Sequence, residues 1–122
     1  MNGNVAAMVE RTRNFALRVL NLCSCLHGGQ EEEILGSQLF RSATAIPVRY
    51  QVAQYAQSQD DFCRKMKMCE EEADETCCWL ELLRGSGFMK PTRLDALVKE
   101  AHEIASIIAA SCITLNRKRK KF

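Results

Sequence analysis

Between Phe62 and Leu83, apolar and small side chains return in strict steps of four and three: Phe62, Met66, Cys69, Ala73, Thr76, Leu80 and Leu83. A stripe with that spacing lies along one face of an α-helix, and six turns of it form one wall of a helical bundle. Trp79 and Leu82 widen the apolar face, so this helix is expected to meet more than one neighbour. Ser58 with Asp61 three positions later predicts its N-terminal cap, and Gly85-Ser86-Gly87 its end. Asp60/Arg64, Asp61/Lys65 and Lys67/Glu71 stand four apart on the remaining faces and support the same helix.

Three further segments carry helical spacing. The first is expected from about Met8 to Leu26, with Met8, Phe15, Val19, Leu22 and Leu26 on one face, Arg11, Asn14, Arg18 and Asn21 opposite, and His27-Gly28-Gly29 as its stop. The second opens at Glu31-Glu32-Glu33, whose carboxylates complement the helix dipole, and continues through Leu35, Leu39, Ser42, Ile46, Ala53 and Ala56. Pro47 lies inside it; lacking an amide and crowding the preceding turn, it predicts a kink or break. The fourth is announced by Pro91, with Thr92 as expected cap and Asp95 behind it, and its seam is Leu94, Val98, Ala101, Ala105, Ile108, Cys112 and Leu115. With 122 residues the chain holds one core, and the prediction is an all-α, antiparallel up-down four-helix bundle over 1–116 followed by a basic C-terminal tail, 117–122.

The second half of the fourth segment departs from one-sided patterning. Ile104, Ile107, Ala110 and Ile113 add apolar surface away from the seam, and a helix that is apolar almost all round is normally buried on every side. A lone bundle wets the outer face of each helix, so these residues predict an oligomer interface, in which Ile107 and Ile113 would each contribute roughly 1.5–3 kcal/mol before entropy costs. The alternative is that a kinked second helix covers them internally.

Charge divides sharply along the chain. Arg117, Lys118, Arg119, Lys120 and Lys121 are five of the 17 basic residues; without them 12 basic residues face 15 acidic ones, so a body of −3 carries a tail of +5. That tail is a candidate nucleic-acid-binding element, extended by Arg11, Arg13 and Arg18 wherever the polar face of the first helix lies beside it. Cations at a helix C-terminus also oppose its dipole, so a solvated helix end is the competing reading.

The remaining chemistry is sparse. There is no glycine-rich phosphate loop, no nucleophile with a recognisable partner and no Glu-x-x-His pair of the kind that builds di-iron sites, so no catalytic residue, cofactor or small-molecule substrate is expected. Glu70, Glu71, Glu72, Asp74 and Glu75 wrap around their helix at about 100 degrees per residue and read as a solvated acidic surface rather than a metal site. Cys23, Cys25 and His27 could chelate zinc only if the helix frays there. Seven cysteines at irregular spacings, with neither a secretory signal nor a transmembrane run, predict reduced packing residues and a cytoplasmic setting.

The segments Gln38 to Ile46, Asp61-Phe62 and Glu72 to Leu83 resemble the small four-helix-bundle proteins encoded in intervening sequences of bacterial 23S ribosomal RNA genes. The likeness extends from about Glu10 to Leu115. It implies a cyclic homo-oligomer, a pentamer, and, through a more distant similarity to the accessory variability protein of diversity-generating retroelements, association with a reverse transcriptase and its template RNA. Where that family has a small-residue turn followed by Asn, this chain has Pro47-Val48-Arg49-Tyr50. Two functions are compatible with these features. One is a non-enzymatic oligomeric scaffold that binds the RNA or DNA backbone, structured RNA above all. The other is a protein adaptor whose acidic body or apolar groove docks a basic enzyme without touching nucleic acid.

Overall fold

The structure, a computed structural model, describes residues 3–120, with side chains as far as Lys118. Among the described residues there are four α-helices: α1 (Gly3–Cys23), α2 (Gln30–Ala53), α3 (Gln59–Ser86) and α4 (Asp95–Lys120). No strand is present among the described residues.

The ends of α3 are set by local chemistry. Ser58 is extended, and its hydroxyl accepts from the Asp61 amide at 3.0 Å while the Asp61 carboxylate accepts from the Gln57 amide at 3.3 Å. At the other end Gly87 adopts φ +81°, a left-handed cap that a β-carbon would strain. The α1–α2 turn is closed by Glu32, which accepts from the Gly28 amide at 2.8 Å. The expected cap at Thr92 is not used: Pro91–Arg93 forms a single 3-10 turn, and α4 begins after it at Asp95.

Each helix runs against its neighbours, as the cross-helix partners show. Arg13 meets Gln51 and Cys23 meets Gly36 between α1 and α2; Ser42 meets Thr76 and Arg49 meets Met68 between α2 and α3; Glu81 meets His102 and Arg84 meets Asp95 between α3 and α4. As the number rises on one helix it falls on the other, the up-down order of an antiparallel bundle.

The core is built from the expected seams: Phe15 and Val19, Leu39 and Ile46, Met66, Leu80 and Leu83, Leu94 and Ile108 are all buried. Each side chain of this size contributes about 1.5–3 kcal/mol by leaving water. Three placements differ from the sequence reading. Helix α1 starts before Met8, and Val9, Thr12 and Ala16 join its buried face, the Thr12 hydroxyl donating to the Met8 carbonyl at 2.8 Å. Helix α2 passes through Pro47 without a break, and the buried Cys69 thiol of α3 donates to the Ile46 carbonyl at that turn. Ile104, expected at an interface between chains, is fully buried in the bundle itself.

Candidate nucleic-acid interface

The basic segment is helical as far as Lys120, so Arg117 and Lys118 are exposed on the final turns of α4 and the positive charges sit where the helix dipole is negative. The side chains of Arg119 and Lys120, and Lys121 altogether, lie outside the described residues. The tip emerges beside the start of α3, where Asp60, Asp61, Arg64 and Lys67 line a cleft with Leu115 and Asn116. Arg64 and Lys67 therefore flank the approach to the tip, a role that their spacing, read as helix-stabilising pairs, did not reveal.

The arginines of α1 do not extend this patch. Arg11 is a clamp: its Nη2 and Nε donate to the two oxygens of Glu100 at 2.7 and 2.9 Å, and Nη2 also reaches Glu103 at 2.8 Å. The guanidinium holds the Glu100 carboxyl below its usual range, chiefly through the hydrogen bond. Since Arg117 lies fourteen positions beyond Glu103 on one helix, about 21 Å separates them at 1.5 Å per residue. Arg13 faces α2 instead, donating to Gln51 at 2.6 Å, and Arg18 is exposed near Glu100. The structure thus places Arg11 and Arg18 on the α4 side of α1, Arg13 on the α2 side, and none of them at the tip.

The apolar surplus of α4 is also divided. Ile107 and Ala110 line a groove with Val5 and Met8 of α1, floored by Tyr50, Phe62 and Met66. Ile113 projects elsewhere and is 53% exposed. Both isoleucines remain partly in water, whereas Ile104 does not.

All seven cysteines are free. Cys63, Cys69, Cys77 and Cys112 are buried as expected, but Cys25 and Cys78 are exposed. The Cys23-Cys25-His27 trio is split: the Cys23 thiol donates to the Gly36 carbonyl at 3.5 Å, and Cys25 accepts from Arg93 at 3.6 Å, which pulls its thiol down. Among the described residues, no three potential metal ligands converge. His102 is exposed, with Nε2 3.3 Å from Glu81.

Two further grooves lie on the surface. Ile34, Leu35, Leu82 and Phe88 form one between the start of α2 and the end of α3, with Glu31 and Glu81 on its rim. The other runs between α2 and α3, lined by Val48, Val52 and Met68 with Arg41, Arg49, Arg64 and Lys65 around them. Among the described residues, no helix is long and apolar enough to cross a membrane.

The solved structure of a protein of unknown function from the S23 ribosomal protein family of Bacteroides thetaiotaomicron VPI-5482 shares this fold, with a TM-score of 0.81 and 29% sequence identity over 88% of this chain and 96% of that one. No curated protein matches the sequence. The family model for 23S rRNA-intervening sequence proteins matches residues 6–110, from α1 to the second half of α4. An antiparallel bundle with these seams, matched over that span, belongs to the 23S rRNA-intervening sequence protein family.

Proposed function

We propose that the protein is a non-enzymatic, oligomeric scaffold that binds structured RNA through its phosphate backbone, in a role suited to an accessory subunit of a reverse-transcribing or RNA-processing complex. The observation that carries this reading is the basic tip of α4, where Arg117 and Lys118 stand exposed at the head of five consecutive cations. Phosphate contact needs such a density of positive charge and no catalytic group. Assembly into a ring, the pentamer implied by the family resemblance, would present several such tips at once and convert weak contacts into useful affinity. The partly exposed Ile107 and Ile113 support assembly, because a second chain would remove both from water.

The test is the affinity of the full chain for an RNA hairpin across a salt series. Log affinity should fall linearly with log salt, and truncation after Asn116 should flatten the slope by roughly 0.7–0.9 for each phosphate that the tip neutralises. An unchanged slope after truncation rejects the tip as the binding element. The adaptor reading draws on the groove of Ile34, Leu82 and Phe88 rimmed by Glu31 and Glu81, which suits a basic protein segment. It predicts RNA binding that is absent or indifferent to the truncation.

A further inference from the structure

We infer that the groove between α2 and α3 is a docking site for an acidic amphipathic helix of a partner protein; it shares Arg64 and Met68 with the cleft at the basic tip but does not rest on the nucleic-acid reading. Its floor is apolar and open: Val48 and Val52, one turn apart on α2, are 61% and 48% exposed, and Met68 of α3 stands opposite. Side chains of this kind gain only from an apolar occupant, since water already covers them. The groove walls hold Arg41 and Arg49 from α2 and Arg64 and Lys65 from α3.

The four cations have carboxylates of their own, and the arrangement of those carboxylates decides what the groove shows to solvent. Glu72 accepts from Arg41 at 3.4 Å and lies 3.9 Å from Arg49; Glu75 also pairs with Arg41; Asp61 holds Lys65 at 3.0 Å and pairs with Arg64. Two of these carboxylates also lie deeper: the side chains of Glu72 and Asp61 are 11% and 17% exposed, those of Arg41 and Arg64 50% and 69%. Glu72 and Asp61 act as props beneath Arg41 and Arg64, and those two guanidiniums are the accessible charges of the rim. Arg49 reaches the Met68 sulfur with its Nη1 at 4.0 Å, and keeps guanidinium hydrogens for an incoming acceptor.

A valine and methionine floor inside a cationic rim matches a helix with aliphatic side chains at i, i+4 and i+7 and carboxylates on both flanks. It does not match nucleic acid as well. Among the residues lining the groove there is no aromatic ring on which a base could stack, and phosphates bring nothing to cover the valines.

The experiment titrates the full chain into a labelled designed peptide of about five helical turns, leucines along one stripe and glutamates on the flanks. Controls are a scrambled peptide of identical composition, a lysine-for-glutamate version and duplex RNA as competitor. The patterned acidic peptide should bind at least about tenfold more tightly than the scrambled one. Arg64→Glu, on a side chain exposed enough to leave folding intact, and Val48→Ser should each weaken it at least about tenfold, while truncation after Asn116 leaves it unchanged. Equal binding of patterned and scrambled peptides would reduce the effect to bulk charge and overturn the proposal. So would displacement of the peptide by RNA from the chain truncated after Asn116, which lacks the basic tip beside Arg64. A fall in solution mass caused by Val48→Ser would assign the groove to a second copy of this chain and overturn it as well.

Discussion

The hydroxyls of Ser42 and Thr76 meet at 2.9 Å in the middle of the α2–α3 seam, where neither residue is exposed at all. Each is backed by a carbonyl of its own helix, Leu39 at 3.2 Å for Ser42 and Glu72 at 2.8 Å for Thr76. Small side chains here let the two backbones approach; with two hydroxyl protons for three contacts, one hydroxyl donates across the seam and the other to its own carbonyl, which satisfies both polar atoms in a place water does not reach.

This pair should behave as a unit. Thr76→Val removes one partner while keeping the shape and should cost about 1–2 kcal/mol; Ser42→Ala should cost about 1 kcal/mol. The double variant should be less destabilised than the two single effects added together, because the second change no longer strands a buried hydroxyl. Urea unfolding of all three reads the coupling, and strict additivity would show that the hydroxyls act separately.

Two isoleucines of α4 should separate folding from assembly. Ile104→Ala opens a hole in the bundle and should cost about 2–5 kcal/mol in thermal or chemical unfolding. Ile113→Ser, on a half-exposed side chain, should leave the helical circular dichroism spectrum intact and lower the solution mass by light scattering. An unchanged mass would remove Ile113 from any interface.

The Arg11–Glu100 clamp has a definite pH signature. Because the folded carboxyl titrates below its ordinary value, the clamp stabilises the fold above about pH 4.3, and that contribution disappears as the pH falls through the lower, folded value. Arg11→Gln should therefore lower stability at neutral pH and shrink the difference between neutral and strongly acidic solution. Denaturation midpoints against pH for both proteins provide the check. Parallel curves would show that Glu100 gains nothing from its partner.

Thiol reactivity should rank by environment. Burial pushes the Cys69 thiol up to about 12 and the Cys112 thiol up to about 11, while Arg93 pulls the exposed Cys25 thiol down. A maleimide at neutral pH should label Cys25 well before Cys69 or Cys112, since the thiolate is the reactive form. Arg93→Ala should slow Cys25 labelling a few-fold without altering the buried sites; mass spectrometry of partially labelled protein resolves them.

The four-helix order was legible along the chain because burial imposes a period on it. Apolar residues from Phe62 to Leu83 recur at four and three, Ser58 and Asp61 cap the N-terminus of α3, and Gly87 takes the left-handed turn that only glycine adopts without strain. Local rules of this kind involve partners a few residues apart, so sequence contains them whole. The break expected at Pro47 does not occur, since one missing hydrogen bond is outweighed by the packing of α2 against α1 and α3.

Which polar and apolar residues meet across helices was decided only by the tertiary structure. Ile104 and Ile107 stand three positions apart with the same chemistry, yet the rotation of α4 about its axis buries one and leaves the other partly wet. Arg11, Arg13 and Arg18 form one basic series in the sequence, but α4 claims the first with two carboxylates and α2 the second with a glutamine. The groove of Val48 and Arg64 joins helices whose contributing residues lie far apart in the chain. A helical period fixes the face on which a residue sits; the neighbour on that face is set by how four cylinders pack, and that is a property of the whole bundle.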